Sequence, residues 1–138
     1  MIDPTTPFGA RVERRLREEL IIWLTTVGED GTPQPSPVWF LWDGSSVLIY
    51  SKPNTPKLRN IERHAAVALS FNSTADGGDV IVLTGTAQLD PQAPSSDQSA
   101  DYQAKYAAGI ANIGLAPASF AAAYGVALRV TPTRVRGH

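Results

Sequence analysis

Tyr50-Ser51-Lys52-Pro53-Asn54-Thr55-Pro56-Lys57-Leu58-Arg59-Asn60-Ile61 joins the end of an apolar strand to the start of a short helix. Thr55 has the chemistry of an N-cap and Pro56 that of a first helical residue, so the backbone N–H groups of Lys57 and Leu58 are expected to be free at the helix start. The first turn of a helix favours Asp or Glu because the macrodipole is positive there, yet Lys57 and Arg59 occupy it and Lys52 stands just before. A phosphate or carboxylate among these groups would relieve the mismatch, although a solvated basic turn carries the same residues without a ligand.

Upstream, Val47 to Ser51 reads as a strand, and Asp43-Gly44 before it is a hairpin turn. Gln34 to Trp42 is then a return strand from Leu20 to Val27, the two joined by the turn residues Gly28-Glu29-Asp30-Gly31, so the three strands make a meander. Thr6-Pro7 followed by Phe8, Val12, Leu16 and Leu20 at four-residue intervals predicts an amphipathic helix over roughly residues 7 to 19. Its Arg11, Arg14, Arg15 and Arg17 read as a solvated face paired with Glu13, Glu18 and Glu19.

Downstream, the helix runs from about 55 to 63. Ala65 to Asn72 follows as a strand with Val67, Leu69 and Phe71 on one face and small residues on the other. After Asp76-Gly77-Gly78 a long strand, Asp79 to Leu89, is expected to bend or bulge at Gly85. Asp90 to Ser99 reads as a surface loop, with Asp97 or Ser99 capping a helix that ends near Ile113; Gly114 to Pro117 breaks it, residues 117 to 123 form a short helix, and the alternation from Tyr124 to Arg136 is the last strand. Six strands with short helices give a mainly β, six-stranded antiparallel barrel, one domain over residues 1–138. Val38 to Trp42 and Val80 to Leu83 are apolar on both faces, so their outer face needs a cover, either a helix or, over a larger area, a second subunit.

Composition narrows the chemistry. Of the 138 residues 43% are hydrophobic and 18% charged, with net charge −1, which fits a soluble globular protein and argues against non-specific nucleic-acid binding. No apolar run is of membrane-spanning length and the N-terminus lacks a signal-peptide pattern, so a cytoplasmic location is the expectation, with no membrane partner. With no Cys, and only His64 and His138, thiol and histidine-rich metal chemistry have no residues to build on, and no metal site is expected. Phosphate loops, dinucleotide fingerprints and hydrolase elbows are absent, no carboxylate pair stands out, and His64 reads as a helix-end histidine. The alternate prolines of Gln34-Pro35-Ser36-Pro37 leave backbone groups free for a ligand, and Trp39, with Ser36 and Tyr50 on neighbouring strands, could wall a planar ring or simply fill a core.

The run Trp23 to Gly44, the block Tyr50 to Ile61 and the segment Gly77 to Ala87 together resemble the split-barrel flavin and deazaflavin oxidoreductases related to pyridoxamine 5′-phosphate oxidase, and most of all their coenzyme F420-dependent branch. The resemblance covers Val12 to Arg136, with the Tyr50 to Ile61 block its most specific part. It implies a six-stranded split β-barrel that forms a homodimer with a cofactor groove at the subunit interface. By position it assigns Lys57 to the cofactor phosphate, with Ser51, Asn54, Thr55 and Pro56 as the surrounding loop; Lys52 joins them from the basic turn. Ser36, Pro37, Val38 and Trp39 then border the tricyclic ring, with Ile49 and Tyr50 beside them. The implied activity is hydride transfer between coenzyme F420 and a small-molecule substrate with an activated double bond, with no side chain named as acid or base. Arg59, Arg63 and the Arg11, Arg14, Arg15 face are candidates for the charged tail of F420. FMN in the same groove, or a non-catalytic protein that binds flavin, deazaflavin or haem, are the alternatives.

Overall fold

The computed structural model describes all 138 residues. Helix α1 (Pro7–Glu18) leads into strands β1 (Ile22–Val27), β2 (Pro33–Val38), β3 (Leu41–Trp42) and β4 (Val47–Ser51). Helix α2 (Pro56–Arg63) and strands β5 (Ala66–Ser70) and β6 (Ile81–Leu89) follow, then a 3-10 turn (Ser96–Gln98), helices α3 (Ala100–Asn112) and α4 (Pro117–Ala123), and strand β7 (Val126–Gly137). Thr6 caps α1 as its sequence predicts, its hydroxyl accepting the Gly9 N–H at 3.0 Å, and Ser99 caps α3 through the Tyr102 N–H at 3.2 Å.

All strands form one antiparallel sheet in the order β2-β1-β5-β6-β7-β4-β3, seven strands rather than six. The difference lies in the return strand expected over 34 to 42, which breaks at Trp39-Phe40. There the Phe40 N–H donates to the Tyr106 hydroxyl at 2.9 Å, and the Phe40 carbonyl accepts from Lys105 Nζ at 3.0 Å. With both backbone groups taken by α3, Phe40 cannot join a ladder. The expected meander is therefore absent. The first half of the segment pairs with β1, from Ile22 opposite Val38 to Val27 opposite Pro33, whereas Leu41 and Trp42 pair with Leu48 and Val47 of β4. The two ends of the sheet are thus one continuous piece of chain, and the sheet has to curl to bring them together: a split barrel, antiparallel as read.

The curled sheet encloses a core in which Leu24, Phe40, Ile49, Leu69, Leu83 and Leu128 are buried, closed by Val12 and Leu16 of α1. β4 is buried along its whole length, because Val47 and Ile49 face this core while Leu48 and Tyr50 face a second cluster with Tyr102, Tyr106, Ile110 and Phe120 of α3 and α4. The same helices pack on Trp39 and Leu41, so helices cover the outer face of residues 38–42. The bulge expected at Gly85 is present: the register shifts between Thr84 and Gly85, and a Cβ there would lie 2.1 Å from the Thr131 carbonyl oxygen.

The arginine face of α1 is not simply solvated. Arg15 is buried; its Nη2 donates to the Asn72 carbonyl at 2.8 Å, its Nε pairs with Glu19 at 3.0 Å and its Nη1 with Asp79 at 3.2 Å. Arg11 Nε lies 2.9 Å from the other Asp79 oxygen, close in charge but misaligned for a hydrogen bond. This cluster pins α1 to the β5–β6 turn. Arg14, exposed, and Arg17, exposed and paired with Glu13 at 3.2 Å, fit the solvated reading. No single helix is long and apolar enough to cross a membrane.

Candidate functional site

Beside the Tyr50 to Ile61 block a cavity of about 340 Å³ lies over the seam where β2 breaks and β4 ends. Four parts of the chain supply its walls. Pro37, Val38 and Trp39 come from the end of β2; Tyr50, Ser51 and Lys52 come from the end of β4. Thr55 and Lys57 come from the start of α2, and Tyr102, Ile113, Phe120 and Tyr124 from α3, α4 and their ends.

Position of the basic end depends on α2. Asn60, buried on the inner side of that helix, donates from Nδ2 to Thr26 Oγ1 at 3.0 Å and to Gln34 Oε1 at 2.8 Å, and its Oδ1 accepts from Arg63 Nη2 at 2.8 Å. These bonds tie α2 to β1 and to the turn side of β2, so Lys57 is held at a fixed distance from the seam. The preceding turn is set by Asn54, whose backbone takes the left-handed conformation (φ 62°) that Asn tolerates better than most residues. Arg59 Nη1 closes the turn on the Asn54 carbonyl at 2.8 Å.

At the helix start the geometry differs from the expected open N-terminus. Thr55 stands at the N-cap position but makes no capping bond; its hydroxyl lies 3.1 Å from Ser51 Oγ, and the Leu58 N–H is directed at the Thr55 carbonyl at 3.2 Å. Of the two N–H groups expected to be free, that of Lys57 alone lacks a partner. The Lys57 ammonium makes no ion pair and no hydrogen bond within the chain, and burial lowers its pKa. A partly buried cation without a counter-ion is costly unless an anion approaches it.

Opposite the basic end the wall is aromatic. Trp39 stacks on Tyr106, with centroids 4.7 Å apart and planes 8° apart, and on Phe120 at 5.5 Å; Phe120 stacks in turn on Tyr124 at 4.4 Å. Gly109 makes room for this, since a Cβ there would come within 3.2 Å of the Trp39 indole. Lys52 Nζ lies 5.4 Å from the Tyr124 ring centroid, a cation–π distance. Tyr102 packs edge-on against Tyr50 at 5.0 Å, is 1% exposed, and its hydroxyl makes no hydrogen bond within the chain; burial pushes its pKa up, so it stays a donor. The arrangement can hold a flat ring against aromatic walls, donate a hydrogen bond to it, and hold an anionic arm at the lysines. It presents no carboxylate and no imidazole for acid–base work.

Four residues assigned by resemblance do not line this cavity. Ser36 lies opposite Leu24 and so shares the barrel-interior face. Ile49 is buried in the core, the alternate residues of β4 being the ones that face the lid. Asn54 and Pro56 shape the turn and the first helical position. Among the arginines considered for a charged tail, Arg11 and Arg15 are committed to Asp79 at α1, Arg59 to Asn54 and Arg63 to Asn60. Tyr102, Ile113, Phe120 and Tyr124 were not named from the sequence, although Tyr102/Tyr106 and Phe120/Tyr124 show the four-residue spacing of aromatic pairs on one helix face.

The family model described as "Pyridoxamine 5'-phosphate oxidase" matches residues 8–138. Solved structures with the same fold include an F420 reductase, 27% identical over 90% of this chain and 94% of its own, with a TM-score of 0.66. A conserved hypothetical protein, Rv2991 from Mycobacterium tuberculosis, is 17% identical over 92% of this chain and 81% of its own (TM-score 0.69). The haem-storage protein HutZ from Vibrio cholerae is 13% identical over 96% and 95% (TM-score 0.64). No curated protein matches the chain by sequence.

Proposed function

Because the chain belongs to the pyridoxamine 5′-phosphate oxidase family, we propose that its cavity holds the ring of a phosphate-bearing flavin-type cofactor, coenzyme F420 in the first instance, and that the protein is an F420-dependent reductase. The observation that carries this reading is Lys57, a partly buried ammonium with no partner in the chain at the mouth of an aromatic cavity. The 27% identity with an F420 reductase supports the choice of cofactor. When bound, a reduced deazaflavin supplies hydride to an electron-poor double bond of a small organic molecule. The protein's own part is to hold the arm with Lys57 and Lys52, to set the ring against Trp39, Phe120 and Tyr124, and to donate from the Tyr102 hydroxyl to the ring edge as charge accumulates there.

Homodimerisation belongs to the same proposal. Trp23, Ser70 and Val82 lie side by side across β1, β5 and β6 and stay partly exposed in one chain, a flat patch suited to a second copy. FMN would use the same lysines and the same walls. Haem has less support, because neither His64 nor His138 lines the cavity. Titration of the purified protein with F420, FMN and haem, followed by fluorescence or absorbance, tests the assignment. F420 is expected to bind most tightly; binding of haem alone would overturn it.

A further inference from the structure

Gly109 weakens the helix it belongs to. It lies inside α3, its backbone is outside the left-handed region that would call for glycine, and the better helix former alanine stands nearby at 104, 107, 108 and 111. What the missing side chain makes room for is Trp39. A Cβ at position 109 would meet the indole Cη2 at 3.2 Å and Cζ2 at 3.3 Å, so the ring would have to give way by a few tenths of an ångström. Gly109 itself does not line the cavity described above, whereas Trp39 does.

Trp39 is not fixed by its own strand. It stands in the gap between β2 and β3 and makes no backbone–backbone hydrogen bond. Its neighbour Phe40 is held by the two residues one turn before Gly109: Lys105 Nζ donates to the Phe40 carbonyl at 3.0 Å, and the Tyr106 hydroxyl accepts the Phe40 N–H at 2.9 Å while donating to the Leu20 carbonyl at 2.8 Å. The Tyr106 ring then lies parallel to the indole. Positions 105, 106 and 109 share one side of a helix, so a single face of α3 holds the backbone at residue 40, the plane of the ring at residue 39 and the space behind that ring. We propose that Gly109 is a specificity-determining residue for the cavity and Tyr106 its positioning partner: together they seat the Trp39 indole where a flat tricyclic ring fits against it. This rests on the reading of the cavity as the site of a flavin-type ring. The seat acts on the ring alone, because the arm is held by Lys57 at the start of α2, an element that α3 does not position.

The test titrates F420, and the same deazaflavin without its phosphate-bearing tail, into Gly109→Ala and Tyr106→Phe. Gly109→Ala is expected to weaken both ligands equally, by about three- to tenfold, the worth of one aromatic contact, while its urea midpoint stays the same or rises. The same substitution in a Trp39→Phe background should cost nothing, since Phe lacks the indole atoms that the new Cβ would meet. A second readout needs no ligand: the three tryptophans give three indole N–H signals in a 1H–15N spectrum, and the one that disappears in Trp39→Phe should move in Gly109→Ala and in Tyr106→Phe while those of Trp23 and Trp42 stay. That signal decides even if Trp39→Phe binds too weakly to titrate. Unchanged affinities in folded Gly109→Ala, an equal loss in the Trp39→Phe background, or an unmoved Trp39 signal overturns the seat. If the Trp39 signal moves in both variants but neither deazaflavin nor FMN binds the unmodified protein, the seat stands and the reading of the cavity as a cofactor site falls.

Discussion

Two groups of basic residues, at α1 and at the start of α2, look alike in sequence and differ in how they are satisfied. At α1, Arg15 is buried with its donors spent on Glu19, Asp79 and the Asn72 carbonyl, and its guanidinium lies 4.8 Å from the Phe71 ring centroid. At α2, Lys57 is partly buried beside a cavity and meets no anion in the chain. The first group is the fastening of a helix to a turn. The second is a charge held in place for something outside the chain. Sequence composition cannot separate the two, because the decisive partners, Asp79 and Asn72 for Arg15 and Thr26 and Gln34 for the Asn60 that anchors α2, lie far away in the chain.

If this contrast is right, the variants at the two clusters should fail in different ways. Arg15→Ala should cost about 2–4 kcal/mol of stability, since it leaves the Asn72 carbonyl without its donor and Asp79 with Arg11 alone; urea denaturation measures it, and cofactor affinity should be unchanged in the folded fraction. Lys57→Ala should leave stability the same or slightly higher, because it removes a partly desolvated charge, and should weaken cofactor binding by on the order of 1.5–3 kcal/mol. A large loss of stability in Lys57→Ala, or a loss of binding in Arg15→Ala, would erase the distinction.

Lys105 sharpens it as an intermediate case, a cation satisfied by one carbonyl and two aromatic faces. Its Nζ donates to the Phe40 carbonyl and lies 3.7 Å from the Phe40 ring centroid, and burial pulls its pKa down from 10.5 to about 8. Between those two values the unfolded lysine holds a proton that the folded one has released, so stability rises as pH climbs through that window and has no slope from this group below it. Lys105→Met should flatten the rise; urea midpoints at several pH values across the window would show it, and an unchanged pH profile would count against the burial argument. The smallest effect is expected at Arg17, 62% exposed on its side chain and paired only with Glu13. Arg17→Ala should change stability by less than about 0.5 kcal/mol, a control for the loss at Arg15.

Most of the fold was legible because it is written in local signals. The Thr6 and Ser99 caps, the Gly85 bulge and the alternation along β5 and β7 all follow from residues close in sequence, and these elements appear where the sequence puts them. The break at Trp39-Phe40 was not legible, since its cause is Tyr106 and Lys105, more than sixty residues away. The same distance hid a third of the residues that line the candidate site. Pro37, Val38, Trp39, Tyr50, Ser51, Lys52, Thr55 and Lys57 are named from the sequence and line one cavity, whereas Tyr102 and Phe120 read there only as helix and Tyr124 as the start of the last strand. Ile49 lies on the core face of β4, because a strand apolar on both sides gives no sign in the sequence of which face borders the cavity.

The account depends on Lys57 gripping an anionic arm, and the most direct measurement is a two-by-two comparison of affinities. F420 and the same deazaflavin lacking its phosphate-bearing tail are each titrated by fluorescence into the unmodified protein and into Lys57→Ala. The unmodified protein should favour F420 by about tenfold or more, and Lys57→Ala should bring the two ligands close to equal by lowering F420 affinity alone. If the preference for F420 survives the substitution undiminished, Lys57 does not hold the arm and the cavity has been assigned to the wrong ligand.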